Sequence, residues 1–290
     1  MNAPLPPVPR QPMTVPRIAS SKVRRGSAPL VMVTAYELHA TRLADAAGVD
    51  MILVGDSLGM VMQGGVDTLR VSVDDIAYHS RCVAAAKPAA LIIADMPWLS
   101  YHVSAEDAVR NAGKLIQEGR AQAVKLEGGS RRIAVIHAIL EAEIPVMGHL
   151  GLTPQSVNVM GGYKVQGKDE LSAERIMDDA LALEDAGVFA VVLEGVPADV
   201  AARITQRLAI PTIGIGAGAA CDGQVLVWHD MLGLTDGRLP RFVRRYAEAG
   251  ALIEDALRQF ASDVRDGSFP TEAESYHSKA APASSEKAKG

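Results

Sequence analysis

Two cysteines in 290 residues, Cys82 and Cys221, and no CxxC or Cys/His cluster leave no material for a disulfide framework or a structural zinc site. Aromatics are only 4% of the chain, so a core built from its 48% hydrophobic content is mainly aliphatic. No uninterrupted apolar run approaches the length of a membrane span, and the opening "MNAPLPPVPRQPMTVPR" has prolines where a signal peptide needs an apolar segment. Neither charge sign dominates: the net charge is -5, with basic residues scattered among acids, which leaves no nucleic-acid or membrane footprint. A reducing cytoplasm is the expected location.

What the chain does have is length for a large α/β domain, flanked by two polar segments. Residues 1–13 read as a flexible proline-rich arm. Residues 271–290, ending "ESYHSKAAPASSEKAKG", have nothing to bury and read as a disordered tail. The folded body is expected over residues 14–270.

Within that body eight short apolar runs recur: "PLVMVTAY", "DMILVGD", "ALIIADMP", "QAVKLEG", "IPVMGHLG", "FAVVLEG", "IPTIGIG" and "GQVLVWHD". Near-continuous apolar runs suit strands of a parallel sheet covered on both faces. Helical patterns separate most of them. In "SAEDAVRNAGKLIQEG", Ser104 and Asp107 resemble a capping box, and Gly119 stands where a helix-ending glycine belongs. Ser72 and Asp75 repeat the start signal, and "PADVAARITQRL" opens with proline at a first turn. Eight strand-plus-helix units predict a single-domain (β/α)8 TIM barrel. The rival is a doubly wound sheet, for which "GIGAG" at 214–218 is the temptation. A dinucleotide fingerprint belongs to an early strand, and this run is late.

Ionisable or polar residues close several of the apolar runs: Asp56 and Ser57, Asp95, Lys125 and Glu127, His149, and Glu194. In a parallel barrel these ends meet at one rim, where active sites of such folds lie. The strand period of two puts Lys125 and Glu127 on one face, opposite Val124 and Leu126. For one strand alone, a buried ion pair is the plain reading. Four carboxylates with one lysine are different, because unpaired buried ions cost several kcal/mol each. A divalent cation would balance them, and carboxylate donors without cysteine favour a hard ion such as Mg²⁺.

The stretches "VMVTAYE", "LVGDSLGMVMQG", "ADMPW", "AVKLEGG", "VMGHLGLTPQS", "GGYKVQG", "LEGVP" and "TIGIGAGAACDGQVLVWHD" resemble the ketopantoate hydroxymethyltransferase family. They cover nearly the whole body in family order. The resemblance implies a (β/α)8 barrel that uses Mg²⁺ and 5,10-methylenetetrahydrofolate to add a hydroxymethyl group to 2-oxoisovalerate, through a Mg-stabilised enolate, in pantothenate and coenzyme A biosynthesis. By the same resemblance Asp56, Asp95 and Glu127 match the metal-site acids, the first two directly or through water. Asp56 and Asp95, with Ser57, Lys125 and His149, lie at the substrate, and Glu194 matches the proton acceptor. A large homo-oligomer, commonly a decamer of two stacked pentameric rings, is also implied. Trp98 departs from the family's phenylalanine after "DMP", which bears on pocket shape.

The residues alone support that chemistry. A 2-oxo acid chelates a divalent ion, Lys125 can hold its carboxylate or a developing oxyanion, and Glu194 is left over as a base. An imine route through Lys125 is disfavoured by Glu127, since a close carboxylate keeps the amine protonated. Two other functions remain open: a phosphoenolpyruvate mutase or isocitrate lyase relative, and a non-catalytic metabolite-binding barrel whose charged rim is structural. His39, His79, His102 and His137 are expected at the surface or in packing, and His229 near the rim. Met51, Met60, Met62 and Met147 are expected to fill pocket or core.

Overall fold

A computed structural model describes residues 10–278. Each of the eight apolar runs forms a strand: β1 Leu30–Thr34, β2 Met51–Val54, β3 Leu91–Asp95, β4 Ala123–Glu127, β5 Val146–Gly151, β6 Ala190–Glu194, β7 Thr212–Ile215 and β8 Gly223–Leu226. They pair in chain order as a closed barrel, β8 returning to β1, and every pairing is parallel. The architecture is a single-domain (β/α)8 barrel.

Strand alternation divides the apolar residues into two cores. Met32, Met51, Leu53, Leu91, Ile93, Met147, Val192 and Ile213 fill the barrel interior. Val33, Ile52, Ile92, Val124, Leu126, Val146 and Val191 point outward against the helices. Near-continuous apolar strands are what two buried faces require.

The helices begin where their caps predict. Ser72 and Asp75 form a reciprocal capping box on Val73–Ala84, and the Ser104 side chain accepts from the Asp107 N–H at the start of Ala105–Gln117. That second helix ends differently from the sequence expectation. The left-handed residue is Arg120, φ 59°, rather than Gly119. Gly119 serves close approach instead, since a Cβ there would lie 2.4 Å from the Leu115 carbonyl oxygen.

The alternation also breaks once. Residues 216–222 join β7 to β8 directly, a glycine-rich loop too short for a helix, so the seventh strand has none of its own. After β8 the long helix Ala249–Asp266 buries no residue, leaving Leu252, Leu257 and Phe260 exposed.

At the bottom of the barrel, residues assigned by sequence to the N-terminal arm are engaged. Met13 is buried and its N–H donates to the Ala89 carbonyl at 2.7 Å, while Arg10 pairs with Asp50 at 2.7 Å. Residues 1–9 of that arm and 279–290 of the tail lie outside the described residues. Among the described residues no helix is long and apolar enough to cross a membrane.

Candidate active site

Because all eight strands run the same way, their C-terminal ends converge. Asp95 ends β3, Lys125 and Glu127 lie on β4, His149 on β5, and Glu194 ends β6, while Asp56 and Ser57 follow β2. All seven predicted residues are gathered at this mouth. Asp56, Asp95, Lys125, Glu127 and His149 are buried.

A continuous chain of contacts crosses the floor. Lys125 Nζ lies 2.8 Å from Asp95 Oδ1 and 3.2 Å from His149 Nδ1. His149 Nε2 in turn lies 3.3 Å from Glu194 Oε2. His149 Nδ1 lies closer to the Lys125 ammonium than to Glu127 Oε1, 3.5 Å away, and accepts from the ammonium, so the ring's proton is assigned to Nε2, toward Glu194. On the other side the Asp56 N–H donates to Asp95 Oδ2 at 3.0 Å. Ser57 Oγ is paired with the buried Tyr36 hydroxyl at 2.8 Å.

Electrostatics follow from desolvation and crowding. Burial, reinforced by the Asp95 charge, pushes the Asp56 carboxyl up to about 7. Burial likewise raises Glu194 to about 7, and carries Glu127 well above the usual carboxylate range with help from Asp56. Burial alone would depress Lys125, but the charges of Asp95, Glu127 and Asp56 outweigh it and its affinity for the proton is raised. His149 is driven well below its ordinary value by burial and by Lys125, which makes it a neutral imidazole.

A bound cation fits this donor chemistry in part. Four carboxylates face one ammonium, and Asp95 Oδ1 is buried without a well-aligned hydrogen bond. Yet among the described residues no group of three or more acidic, histidine or cysteine side chains is set as a ready ligand cage. The mouth therefore suits a hard ion held by one or two carboxylates, with water and substrate completing its shell, as Mg²⁺ prefers.

Sequence reasoning passed over two residues that organise these acids. Gln155, in the short 3-10 helix Pro154–Ser156 after β5, donates from Nε2 to Asp56 Oδ2 at 2.9 Å and to the Met96 carbonyl at 3.0 Å. Its backbone N–H donates to Glu127 Oε2 at 3.1 Å. Buried Tyr101 donates its hydroxyl to Gln155 Oε1 at 2.6 Å and accepts from the Glu127 N–H at 3.2 Å. Neither residue sits at a strand end; the only signal was Gln155 within "HLGLTPQS", a polar residue in a quoted motif.

A closed parallel barrel with catalytic-type acids, a charged lysine and a neutral histidine at its mouth defines a (β/α)8 enzyme acting on a small anionic substrate. The family model described as ketopantoate hydroxymethyltransferase matches residues 12–272, and the chain belongs to that family. It is 55% identical to 3-methyl-2-oxobutanoate hydroxymethyltransferase of Pelobacter propionicus, over 92% of this chain and 98% of that one. It is 57% identical to 3-methyl-2-oxobutanoate hydroxymethyltransferase 2 of Bradyrhizobium diazoefficiens, over 85% and 84%. Hydroxymethyl transfer to 3-methyl-2-oxobutanoate, giving ketopantoate, is its reaction.

Solved structures of other activities share the fold. Phosphonopyruvate hydrolase aligns with a TM-score of 0.58 at 14% identity, covering 92% of each chain. The 2,3-dimethylmalate lyase aligns at 0.57 and 17%, covering 88% of this chain and 90% of its own. At such identity the likeness concerns the barrel alone.

Proposed function

We propose that the mouth binds 2-oxoisovalerate (3-methyl-2-oxobutanoate) with Mg²⁺ and takes the one-carbon unit from 5,10-methylenetetrahydrofolate, in pantothenate and coenzyme A biosynthesis. The observation that carries this reading is the charge imbalance of four buried or half-buried carboxylates around one lysine. Asp56 and Asp95 would hold the cation, with Glu127 beside them. When bound, Mg²⁺ supplies Lewis-acid charge to the oxygens of the 2-oxo acid.

The remaining steps belong to the chain's own residues. Lys125, held charged by its acidic neighbours, is a donor for the substrate carboxylate or the oxyanion that develops as C3 is deprotonated. The same charge argues against an imine, which needs a neutral amine. Ser57, oriented by Tyr36, offers a hydroxyl to the substrate. Glu194, raised to about 7, is matched to removing the C3 proton near neutral pH. His149 directs its Nε2–H toward Glu194 and has its other nitrogen engaged by Lys125, which favours a positioning role over that of the base.

We further propose that the enzyme works in the cytoplasm as a homo-oligomer, a homodecamer by family resemblance. The bare apolar face of helix Ala249–Asp266 supports self-association. Sedimentation at micromolar concentration tests it, and a monomer would contradict it.

The reaction is tested by chelation and by trapping. Removing divalent ions should abolish turnover and Mg²⁺ should restore it; full activity of the metal-free enzyme would overturn the metal's role. Borohydride with 2-oxoisovalerate should leave no adduct at Lys125, and a trapped one would restore the imine route.

A further inference from the structure

Transfer between two substrates needs a place for each, and the mouth has two chemically distinct levels. Its floor is the charged cluster described above. Its rim carries apolar side chains: Met60 and Met62 beyond β2, Trp98 and Leu99 beyond β3, and Tyr163 and Val165 beyond β5 are all exposed.

The segment carrying Tyr163 takes an unusual path. It leaves β5 where the Leu152 N–H donates to the Glu194 carbonyl at 2.7 Å, and it returns where the Gln166 N–H donates to the Gly195 carbonyl at 2.9 Å. Both ends are thus pinned to the tip of β6, beside the proposed base. Between them the Tyr163 hydroxyl reaches Met60 Sδ at 3.8 Å. In a closed barrel of eight strands taken in chain order, β2 and β6 stand on opposite sides. The segment therefore spans the mouth, with Tyr163 at its far end.

Gly161 and Gly162, at φ 63° and 114°, turn the chain immediately before Tyr163 through backbone conformations that side-chain-bearing residues rarely adopt. Burial raises the phenol's proton affinity, as do the charges of Asp67, Asp56, Glu194 and Glu127. Three of those four acids belong to the mouth, in keeping with the segment's path across it.

We infer that Tyr163, backed by Met60, is the platform on which the flat ring system of the one-carbon donor lies while its one-carbon unit faces the mouth. The inference rests on the proposal that this donor is 5,10-methylenetetrahydrofolate. A planar heteroaromatic carrier gains from an aromatic face and a soft thioether, whereas a branched 2-oxo acid has no ring to stack and its charges suit the floor. With 47% of its surface open, Tyr163 has a face to offer.

Steady-state kinetics on the full-length enzyme, varying each substrate while the other saturates, test this. Tyr163→Ala should raise the KM for 5,10-methylenetetrahydrofolate about tenfold and move that for 2-oxoisovalerate by less than about twofold. Tyr163→Phe keeps the ring and should stay within about twofold of the native donor KM. Equal rises in both KM values in Tyr163→Ala would make the residue a cover for the oxo acid and overturn the inference. Unchanged values, or a phenylalanine variant as impaired as the alanine one, would also overturn it. Turnover by the native enzyme without saturable dependence on the folate would overturn the donor reading and this inference together, while native saturation with an unaffected Tyr163→Ala overturns this inference alone.

Discussion

Two lysine–aspartate pairs are buried at opposite ends of this barrel. At the bottom, Lys22 meets Asp222 at 2.6 Å; at the mouth, Lys125 meets Asp95 at 2.8 Å. The lower pair is complete. Lys22 also donates to the Thr205 carbonyl at 2.8 Å, and Asp222 accepts from the Val23 N–H, the Thr212 N–H and the Thr212 hydroxyl. The upper pair shares its lysine among several acids and leaves Asp95 Oδ1 without a well-aligned hydrogen bond.

Protons register the difference. Burial, with the Arg24 charge, depresses Lys22 because Asp222 and Glu184 do not offset it, whereas three nearby carboxylates raise Lys125 although it too is buried. Buried charge by itself is thus a structural device. Unbalanced buried charge marks a place prepared for something else.

The contrast is broken most sharply by disabling one member of each cluster separately. Lys22→Met should strand Asp222 and cost about 3–5 kcal/mol of stability, read by chemical denaturation. Replacing both members, Lys22→Met with Asp222→Leu, should recover most of that loss, and no recovery would mean that the lower pair does more than hold the fold. At the mouth the main effect should fall on chemistry. Glu194→Gln keeps size and hydrogen-bonding reach but not basicity, so C3 proton exchange of 2-oxoisovalerate with deuterated solvent should fall by about 10² or more. Undiminished exchange would assign the proton to another group.

A smaller effect is expected from Gln155→Leu, which removes the side-chain link between Asp56 and Tyr101. Divalent-ion affinity should weaken about tenfold, the loss of roughly one charge-assisted hydrogen bond. Tyr101→Phe should do less, since it loosens the same amide without removing it.

Acidity offers the mildest probe. Asp56 and Glu194 are both raised to about 7, so the folded metal-free enzyme holds protons that the unfolded chain has released. Their contribution to stability is complete below the ordinary carboxylate range and is lost as pH rises through about 7. Metal-free enzyme should therefore be more stable near pH 5 than near pH 8, and Mg²⁺ should flatten the difference. Catalysis runs the other way: the base must be ionised, so exchange should climb with pH through about 7.

The barrel was legible because its strands are buried on both faces and therefore written as unbroken apolar runs, and because period-two alternation sends Lys125 and Glu127 to one side. The mouth acids were legible for the same reason, each interrupting or closing such a run. Gln155, Tyr101 and Tyr163 carry no such signal, since they sit in connecting segments between strands where no long period fixes direction and only the folded path brings them to the acids. Lys22 and Asp222 escaped notice because they are joined across 200 positions of sequence. The missing seventh helix and the bare helix Ala249–Asp266 also required the structure, as amphipathic patterning says which face seeks burial but not against what.

We propose that one divalent cation balances the mouth's excess negative charge. Titration of metal-free enzyme with Mn²⁺, followed by the loss of the free ion's electron paramagnetic resonance signal, measures this without turnover. One site per chain is predicted, abolished in Asp95→Asn, displaced by Mg²⁺ and retained in Lys22→Met if that variant is held folded. Absence of a site in the native enzyme, or equal binding in Asp95→Asn, would contradict a cation-balanced mouth.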